Sequence, residues 1–466
     1  MRTNNLFSQI TPKYLFNNYG KYKIKTIETR RFEINDYLKV LDSLIFKSEE
    51  IFQKELLSYT IKGKAINLIK FGQGKKKILM WSQMHGDEST ASLALLDVIN
   101  FLLQKDSLRN EISDKITLLI IPVLNPDGAS KFERRNSQEI DINRDALRFQ
   151  TPEGKTLKLV YEKYKPDFAF NLHDQTSLNS VGKTGNPAAI ALLAPPYNYN
   201  NDINETRLKA IKLCVEIYDA IKSNYGEIVA RYDDEFEPRA FGDNFQKWGT
   251  STILIESGGY FNDYEKQEIR KMNFIALITS IFSIANDRYI LQDQNKYFLI
   301  PENEKRFFDL ILQNCVVEKD SFRYIVDIGI NSSEKFDSLR NRYVRIYEIL
   351  DIGDLSVYYA YDTLDVKFMK VEYGKVYEKL ITKYDSLERL DLRQLLKNGY
   401  TTIVYQGDFS KIKPNSLLDY FISTTQKPFR EAKHFLGHSA NLIIKDEKDK
   451  VRIALLNGNV VYIDEI

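Results

Sequence analysis

Cysteine is nearly absent: Cys214 and Cys315 are the only two in 466 residues, and each lies in an apolar context. That excludes a disulfide scaffold and leaves two buried, reduced thiols as the reading. Histidine is almost as scarce, with His85, His173, His434 and His438 making up the whole supply. Any imidazole chemistry has to be drawn from those four. Neither sign of charge is in excess, since 66 Lys and Arg face 64 Asp and Glu for a formal net charge of +2. The electrostatic footprint of a nucleic-acid-binding protein is missing, and no such partner is expected. No apolar run reaches the 18 residues of a membrane-spanning helix, and the stretch Met1 to Ile10 lacks the apolar core of a signal peptide. No membrane partner is expected, and as written the chain is expected to be cytoplasmic, although one trimmed of its leader would read the same. Repeats and low-complexity tracts are also lacking.

What remains is an ordinary globular composition, 43% hydrophobic beside 28% charged, in a length that favours two or three domains. Residues 1–50 read as an N-terminal segment covering the main domain, with a helix around Ile34 to Ser48. From Leu57 to Lys70 the pattern alternates around a glycine, as a hairpin does. Short apolar runs follow: 77–82, 116–124, 168–172, 188–194, 228–232 and 251–255. Helical periodicity fills stretches between them, notably after Glu88, over 205–223 and over 264–286. Strands alternating with helices predict an α/β domain over 51–290, with a mixed, largely parallel sheet flanked by helices. A smaller β-rich domain is expected over 298–466, with one helix at Glu304 to Gln313 and another near Asp385 to Lys397, and the boundary between 288 and 300.

The residue after each strand carries the argument. Ser82 leads to His85, Leu124 to Asn125, Leu172 to His173 and Ile255 to Glu256. In open α/β sheets ligands bind at the carboxyl ends of the strands, so these polar residues converge by topology. His85 and Glu88 share one turn and His173 ends a neighbouring strand. Two imidazoles and a carboxylate form a known catalytic zinc set, with one position left open. Glu256, followed by Ser257, Gly258 and Gly259, has room for substrate beside it and suits the base that such a site needs. Arg134, Arg135 and Arg144 concentrate cationic charge near the Asn125 turn; such a cluster is either solvated surface or a grip on a carboxylate or oxyanion. His434 and His438, four apart, could share a helix face, but Gly437 between them makes a loop as good a reading.

Taken together, His85-x-x-Glu88, Asn125-Pro-Asp-Gly128, Arg134-x-Asn136, Asp141-Ile-Asn143-Arg144, Asn171-Leu-His173 and Glu256-Ser-Gly-Gly259 resemble, in order and spacing, the zinc carboxypeptidase family. The resemblance covers roughly residues 50–290. It implies one Zn2+ per chain held by His85, Glu88 and His173, with Asp141 orienting His85. It further implies that Arg134 stabilises the oxyanion, that Asn143 and Arg144 grip the terminal carboxylate of the substrate, and that Glu256 is the general base. Two departures stand out. Asp145 follows Arg144 where the family often has asparagine, placing a negative charge beside the clamp. The mobile tyrosine of many members has only Tyr232 as a counterpart, 24 residues before Glu256. The stretch Glu235 to Asn244 is expected to line the specificity pocket. The C-terminal part is similar, more loosely, to the small β-sandwich of amidohydrolases, which implies an accessory domain without chemistry of its own.

The resulting expectation is a zinc-dependent carboxypeptidase acting on a peptide with a free C-terminal carboxylate. Ordinary peptides, cell-wall peptides and modified tails are all compatible with one clamp. The alternatives are a zinc-dependent deacylase of N-acyl amino acids and a non-catalytic peptide-binding protein.

Overall fold

The computed structural model describes residues 10–47, 51–104, 107–319, 321–423 and 435–463. The chain divides into two compact units, Met1–Lys305 and Arg306–Ile466.

The first unit is organised on an eight-stranded sheet. Its strands are β1 (Phe52–Tyr59), β2 (Ala65–Phe71), β3 (Lys76–Ser82), β4 (Ile116–Ile121), β5 (Phe168–Asp174), β7 (Ile190–Leu193), β8 (Val229–Arg231) and β9 (Ser251–Ser257), in the order β1-β2-β4-β3-β5-β9-β7-β8. The four central strands β4, β3, β5 and β9 run parallel, while β1 pairs antiparallel with β2, β2 with β4, and β7 with β9. The sheet is mixed and largely parallel. Its centre is covered on both faces, which is why β4 is a continuous apolar run with every residue buried. At the edge, β1 is mostly exposed or half-buried.

Side chains alternate between the two cores. Ile78 and Met80 face helices α1 (Pro12–Asn18), α2 (Ile34–Phe46), α3 (Thr90–Leu102), α4 (Ser107–Lys115), α7 (Glu205–Tyr225) and α9 (Gln267–Ala285), whereas Leu79 and Trp81 face α6 (Pro152–Tyr164) and α8 (Phe241–Lys247). Helix α3 is buried at every position but Asn100, and α9 is nearly as deep, so neither shows a polar stripe. The short α5 (Pro126–Ala129) is started by Asn125, whose Oδ1 accepts from the Gly128 N–H, with Pro126 at the first helical position.

The N-terminal segment is anchored by a buried ion pair. Arg270 of α9 donates Nε and Nη2 to the two oxygens of Asp97 on α3, at 2.7 and 2.6 Å, and both side chains are fully buried. The remaining Arg270 donors reach the carbonyls of Ile27 and Ile24, while Asp97 accepts from the Ile24 N–H and the Tyr19 hydroxyl. Apart from Gln267 Oε1, which also accepts from Arg270 Nη1 at 3.3 Å, the further partners of the pair come from the segment 19–27.

Two further strands, β6 (Asn179–Val181) and β10 (Asn303–Lys305), pair antiparallel, after the short helix α10 (Asn295–Leu299). That pairing carries the first unit through Lys305, beyond the boundary expected at 288–300.

The second unit contains β11 (Phe307–Lys319), β12 (Phe322–Asp337), β13 (Arg342–Gly353), β14 (Tyr359–Asp365), β15 (Lys370–Tyr373), β16 (Lys375–Val376), β17 (Tyr400–Val404), β18 (Ile422–Ser423), β19 (Leu442–Lys445), β20 (Val451–Leu456) and β21 (Asn459–Tyr462). One sheet runs β13-β12-β11-β15-β19-β20-β21 with β14 alongside β11, and a small one runs β16-β17-β18. Short helices α11 (Tyr384–Glu388), α12 (Leu392–Lys397) and α13 (Leu417–Phe421) complete it. The helix expected over Glu304 to Gln313 is instead the end of β10 and the start of β11. Its apolar residues Phe307, Phe308, Leu310, Ile311 and Leu312 satisfy a helical spacing as well as a buried strand, and pairing with β12 and β14 decides for the strand. The helix expected over Asp385 to Lys397 is broken in two, because Asp391 caps a new start by accepting from the Gln394 N–H. His438 lies in a loop after Phe435. His434 falls outside the described residues.

Candidate metal centre

Strand β3 ends at Ser82, and Gln83 turns the backbone into the left-handed region at φ +51°. The turn is pinned to the next strand end by Leu124 N–H to Ser82 O and Asn125 N–H to Gln83 O, both 3.0 Å. Gly86 then passes so close to the Asn125–Gly128 turn that a Cβ on it would lie 2.1 Å from the carbonyl carbon of Gly128. Only glycine permits that approach. His85 and Glu88 are thereby held on one tight turn just ahead of α3, with Glu88 N–H donating to His85 O at 3.2 Å.

Three side chains converge above the strand ends. His85 Nδ1 lies 2.7 Å from Glu88 Oε1, His173 Nδ1 lies 2.6 Å from Glu88 Oε2, and the two Nδ1 atoms are 3.1 Å apart. All three residues are buried, and they are the one group among the described residues whose ligand atoms could hold a metal ion. Tetrahedral zinc with bonds of about 2.0–2.1 Å spaces its ligands by about 3.3 Å, so the Nδ1 separation suits it. The opposite nitrogen of His85, Nε2, donates to Asp141 Oδ1 at 2.9 Å, which fixes the ring and turns the Nδ1 lone pair toward the shared point. His173 Nε2 is buried with no hydrogen-bond partner, leaving Nδ1 as the working nitrogen of that ring.

The carboxylates dominate the electrostatics of the site. Burial disfavours a charged His85, yet Glu88 and Asp141 outweigh it and raise its pKa to about 9. Burial also opposes ionisation of Glu88, but His173 and His85 hold its carboxyl well below the usual range. For His173 burial wins, and its pKa is lowered. A buried carboxylate between two inward-facing imidazoles is a donor set that favours a cation, and it fits zinc.

The other expected residues fall around this point. Glu256 sits beside His173 in register on the adjacent strand, buried, and burial followed by the charge of Glu88 raises its pKa well above normal. Gly258 follows it because a Cβ there would lie 2.0 Å from Ala188 O. Arg134 donates Nη1 to Glu88 Oε1 at 3.1 Å and Nη2 to Asp141 Oδ2 at 3.0 Å. Asn143 accepts from the Phe241 N–H through Oδ1, and its own N–H donates to Asp141 Oδ1. Arg144 donates Nη1 to Asn143 O at 2.8 Å, and its Nε lies 3.4 Å from Glu237 Oε2. Tyr232 ends the β8 run; burial, then the charges of Glu256 and Glu88, push its phenol up to about 12.

Three sequence expectations change here. Asp145 does not face the clamp: its carboxylate accepts from Gln150 N–H, Thr151 N–H and Thr151 Oγ at the start of α6. Arg135 is directed to Glu139 O and not to the centre. Asn125 spends its side chain on its own turn, through Gly128 N–H and Met84 O. In the stretch 235–244, Asp243 and Asn244 are buried in local bonds, while Glu237 lies against Arg144.

The sequence also left Asp174 unnoticed. Its N–H donates to Glu88 Oε2 at 3.2 Å, and its carboxylate accepts from Thr90 Oγ1 at 2.5 Å. An acidic residue directly after a ligand histidine at a strand end was the available signal.

Comparison with known proteins adds to this geometry. Residues 37–194 match the model of the zinc carboxypeptidase family. The chain is 28% identical over 131 residues to carboxypeptidase 2 of Trichophyton rubrum, a match covering 27% of this chain and 24% of that protein. It is 30% identical over 95 residues to cytosolic carboxypeptidase 6 of Caenorhabditis elegans, covering 19% and 21%. The chain thus spans about a quarter of the length of the curated relatives it matches. Among solved structures, a metallo-carboxypeptidase from Burkholderia cenocepacia is similar at a TM-score of 0.47 and 15% identity, over 56% of this chain and 71% of that one. Among the described residues no helix is long and apolar enough to cross a membrane.

Proposed function

We propose that this chain, whose residues 37–194 match the model of the zinc carboxypeptidase family, hydrolyses the C-terminal peptide bond of a peptide with zinc as cofactor. The observation that carries this reading is the convergence of His85 Nδ1, His173 Nδ1 and the Glu88 carboxylate, with Glu256 one strand away in register.

His85, Glu88 and His173 would hold the ion, which would supply Lewis acidity and make water a stronger acid near neutral pH. Asn143 and Arg144 receive the terminal carboxylate of the substrate and set the register, so that only the last peptide bond reaches the centre. Glu256 accepts the proton of the attacking water as its oxygen bonds to the carbonyl carbon. Arg134 donates to the carbonyl oxygen as negative charge gathers there. When the C–N bond breaks, Glu256 returns the proton to the leaving amine, giving an amino acid and a shortened peptide. A carboxyl kept dry, as Glu256 is, gains proton affinity, which suits it to both transfers. Tyr232, at the end of β8, closes the substrate side. The stretch ahead of α8 contacts the terminal side chain.

Two measurements test the proposal. Chelation abolishes hydrolysis and zinc restores it. Glu256→Gln keeps zinc at wild-type stoichiometry but lowers kcat by a factor of about 10²–10⁴, the range for loss of a general acid–base group. Full activity after chelation overturns the zinc requirement, and an active E256Q overturns the assignment of the base. Faster cleavage of an N-acyl amino acid than of a tripeptide would move the reading to a deacylase.

A further inference from the structure

The centre is assembled from three separate elements: the turn before α3 with Glu88, the end of β5 with His173, and the end of β9 with Glu256. One half-buried ammonium touches the last two and reaches the first through a single carboxylate. Lys266 Nζ donates to Ser257 O of β9 at 2.9 Å, lies 3.2 Å from Asp174 Oδ2 at the end of β5, and lies 3.4 Å from Gln175 O. The same Asp174 oxygen accepts from Thr90 Oγ1 at the start of α3, and the Asp174 N–H donates to the ligand Glu88. Ser257 O is shared with Gln175 N–H, so the two strand ends meet at the atom that the ammonium holds.

Lys266 closes the turn that precedes α9, its N–H donating to Asp263 O at 2.9 Å. It adopts φ +52° and ψ +34° immediately before α9. Its side chain is 13% exposed, and the Asp174 side chain it faces is 9% exposed. A carboxylate this deep is uncompensated once its cation is removed. The nearest alternative partner, Thr90, is neutral.

We propose that Lys266 is a positioning residue of the metal centre, locking the ends of β5 and β9 and the Glu88 turn into one geometry. Its effect on zinc affinity is independent of substrate, and only its effect on turnover rests on the carboxypeptidase reading.

The test uses the full chain, with zinc dissociation constants measured by competition against a chromophoric chelator. Lys266→Met weakens zinc by about 10–100-fold, the range for partners that orient metal ligands. Its kcat falls while KM stays within about twofold, since the clamp is untouched. Thr90→Val breaks the other end of the same network more gently and weakens zinc by a few-fold; it carries the test should K266M fail to fold. Thr250→Val is the stability control: it removes a buried hydrogen bond from Thr250 Oγ1 to Pro166 O at the opposite ends of β9 and β5, and leaves zinc affinity unchanged. Wild-type affinity in folded K266M, or in T90V where K266M does not fold, overturns the proposal. So does an equal loss in T250V, which would show that zinc binding merely follows stability. A wild-type protein that binds zinc but cleaves no peptide sinks the carboxypeptidase reading and leaves this one standing.

Discussion

At the scale of single residues, burial sets protonation around the substrate side of the centre. Asp243, near the start of α8, accepts from the Glu237 N–H, yet burial pushes its carboxyl up to about 7. The folded value lies above the unfolded one of about 3.9, so the native state keeps its proton longer. The unfolded chain gains stability by releasing it, and the contribution of Asp243 falls as pH rises from about 4 to about 7, then stays flat. Asp243→Asn keeps the acceptor and removes the charge. It raises unfolding stability at pH 8 by about 1–3 kcal/mol and flattens the slope between pH 4 and 7, both read by urea titration across pH. An unchanged slope would show that this carboxyl ionises normally. At this scale the sequence was informative where it was sparse: with four histidines in all, His85 and His173 had few competitors. Where a side chain points was not legible. Asp145 beside Arg144 reads as a disturbance to the clamp, and only the fold turns it toward Thr151.

At the scale of elements, the N-terminal segment is fastened by the Asp97–Arg270 pair, which joins α3, α9 and the backbone of Ile24 and Ile27. Asp97→Ala leaves a buried guanidinium without its counter-charge and costs about 3–5 kcal/mol of stability, measured by denaturant unfolding. Zinc affinity in the folded fraction is unchanged, because neither residue touches a ligand. A loss under 1 kcal/mol would mean that water replaces the carboxylate. No motif announced this pair, since its members are 173 positions apart. The central strands were legible because parallel strands covered on both faces must be apolar throughout. Residues 307–312 were not, because a buried strand and a buried helix share that signature until the partners β12 and β14 are known.

At the scale of the whole molecule, the alternation of strands and helices followed by many short β runs was enough to separate an α/β unit from a β-rich one. Strand order was beyond it, as was the return of β10 to pair with β6, which places the division after Lys305. Convergence of His85, His173 and Glu256 at the strand ends was legible from topology alone, whereas Asn125, placed by the same rule, turns to its own loop. The proposed function entails cleavage confined to a free C-terminus and dependent on the metal. The most direct test is mass spectrometry of one peptide offered as the free acid and as the C-terminal amide, before and after chelation. The account predicts loss of a single C-terminal residue from the acid, an intact amide, no cleavage after chelation, and recovery with zinc. Equal cleavage of acid and amide, or cleavage by the metal-free protein, would contradict it.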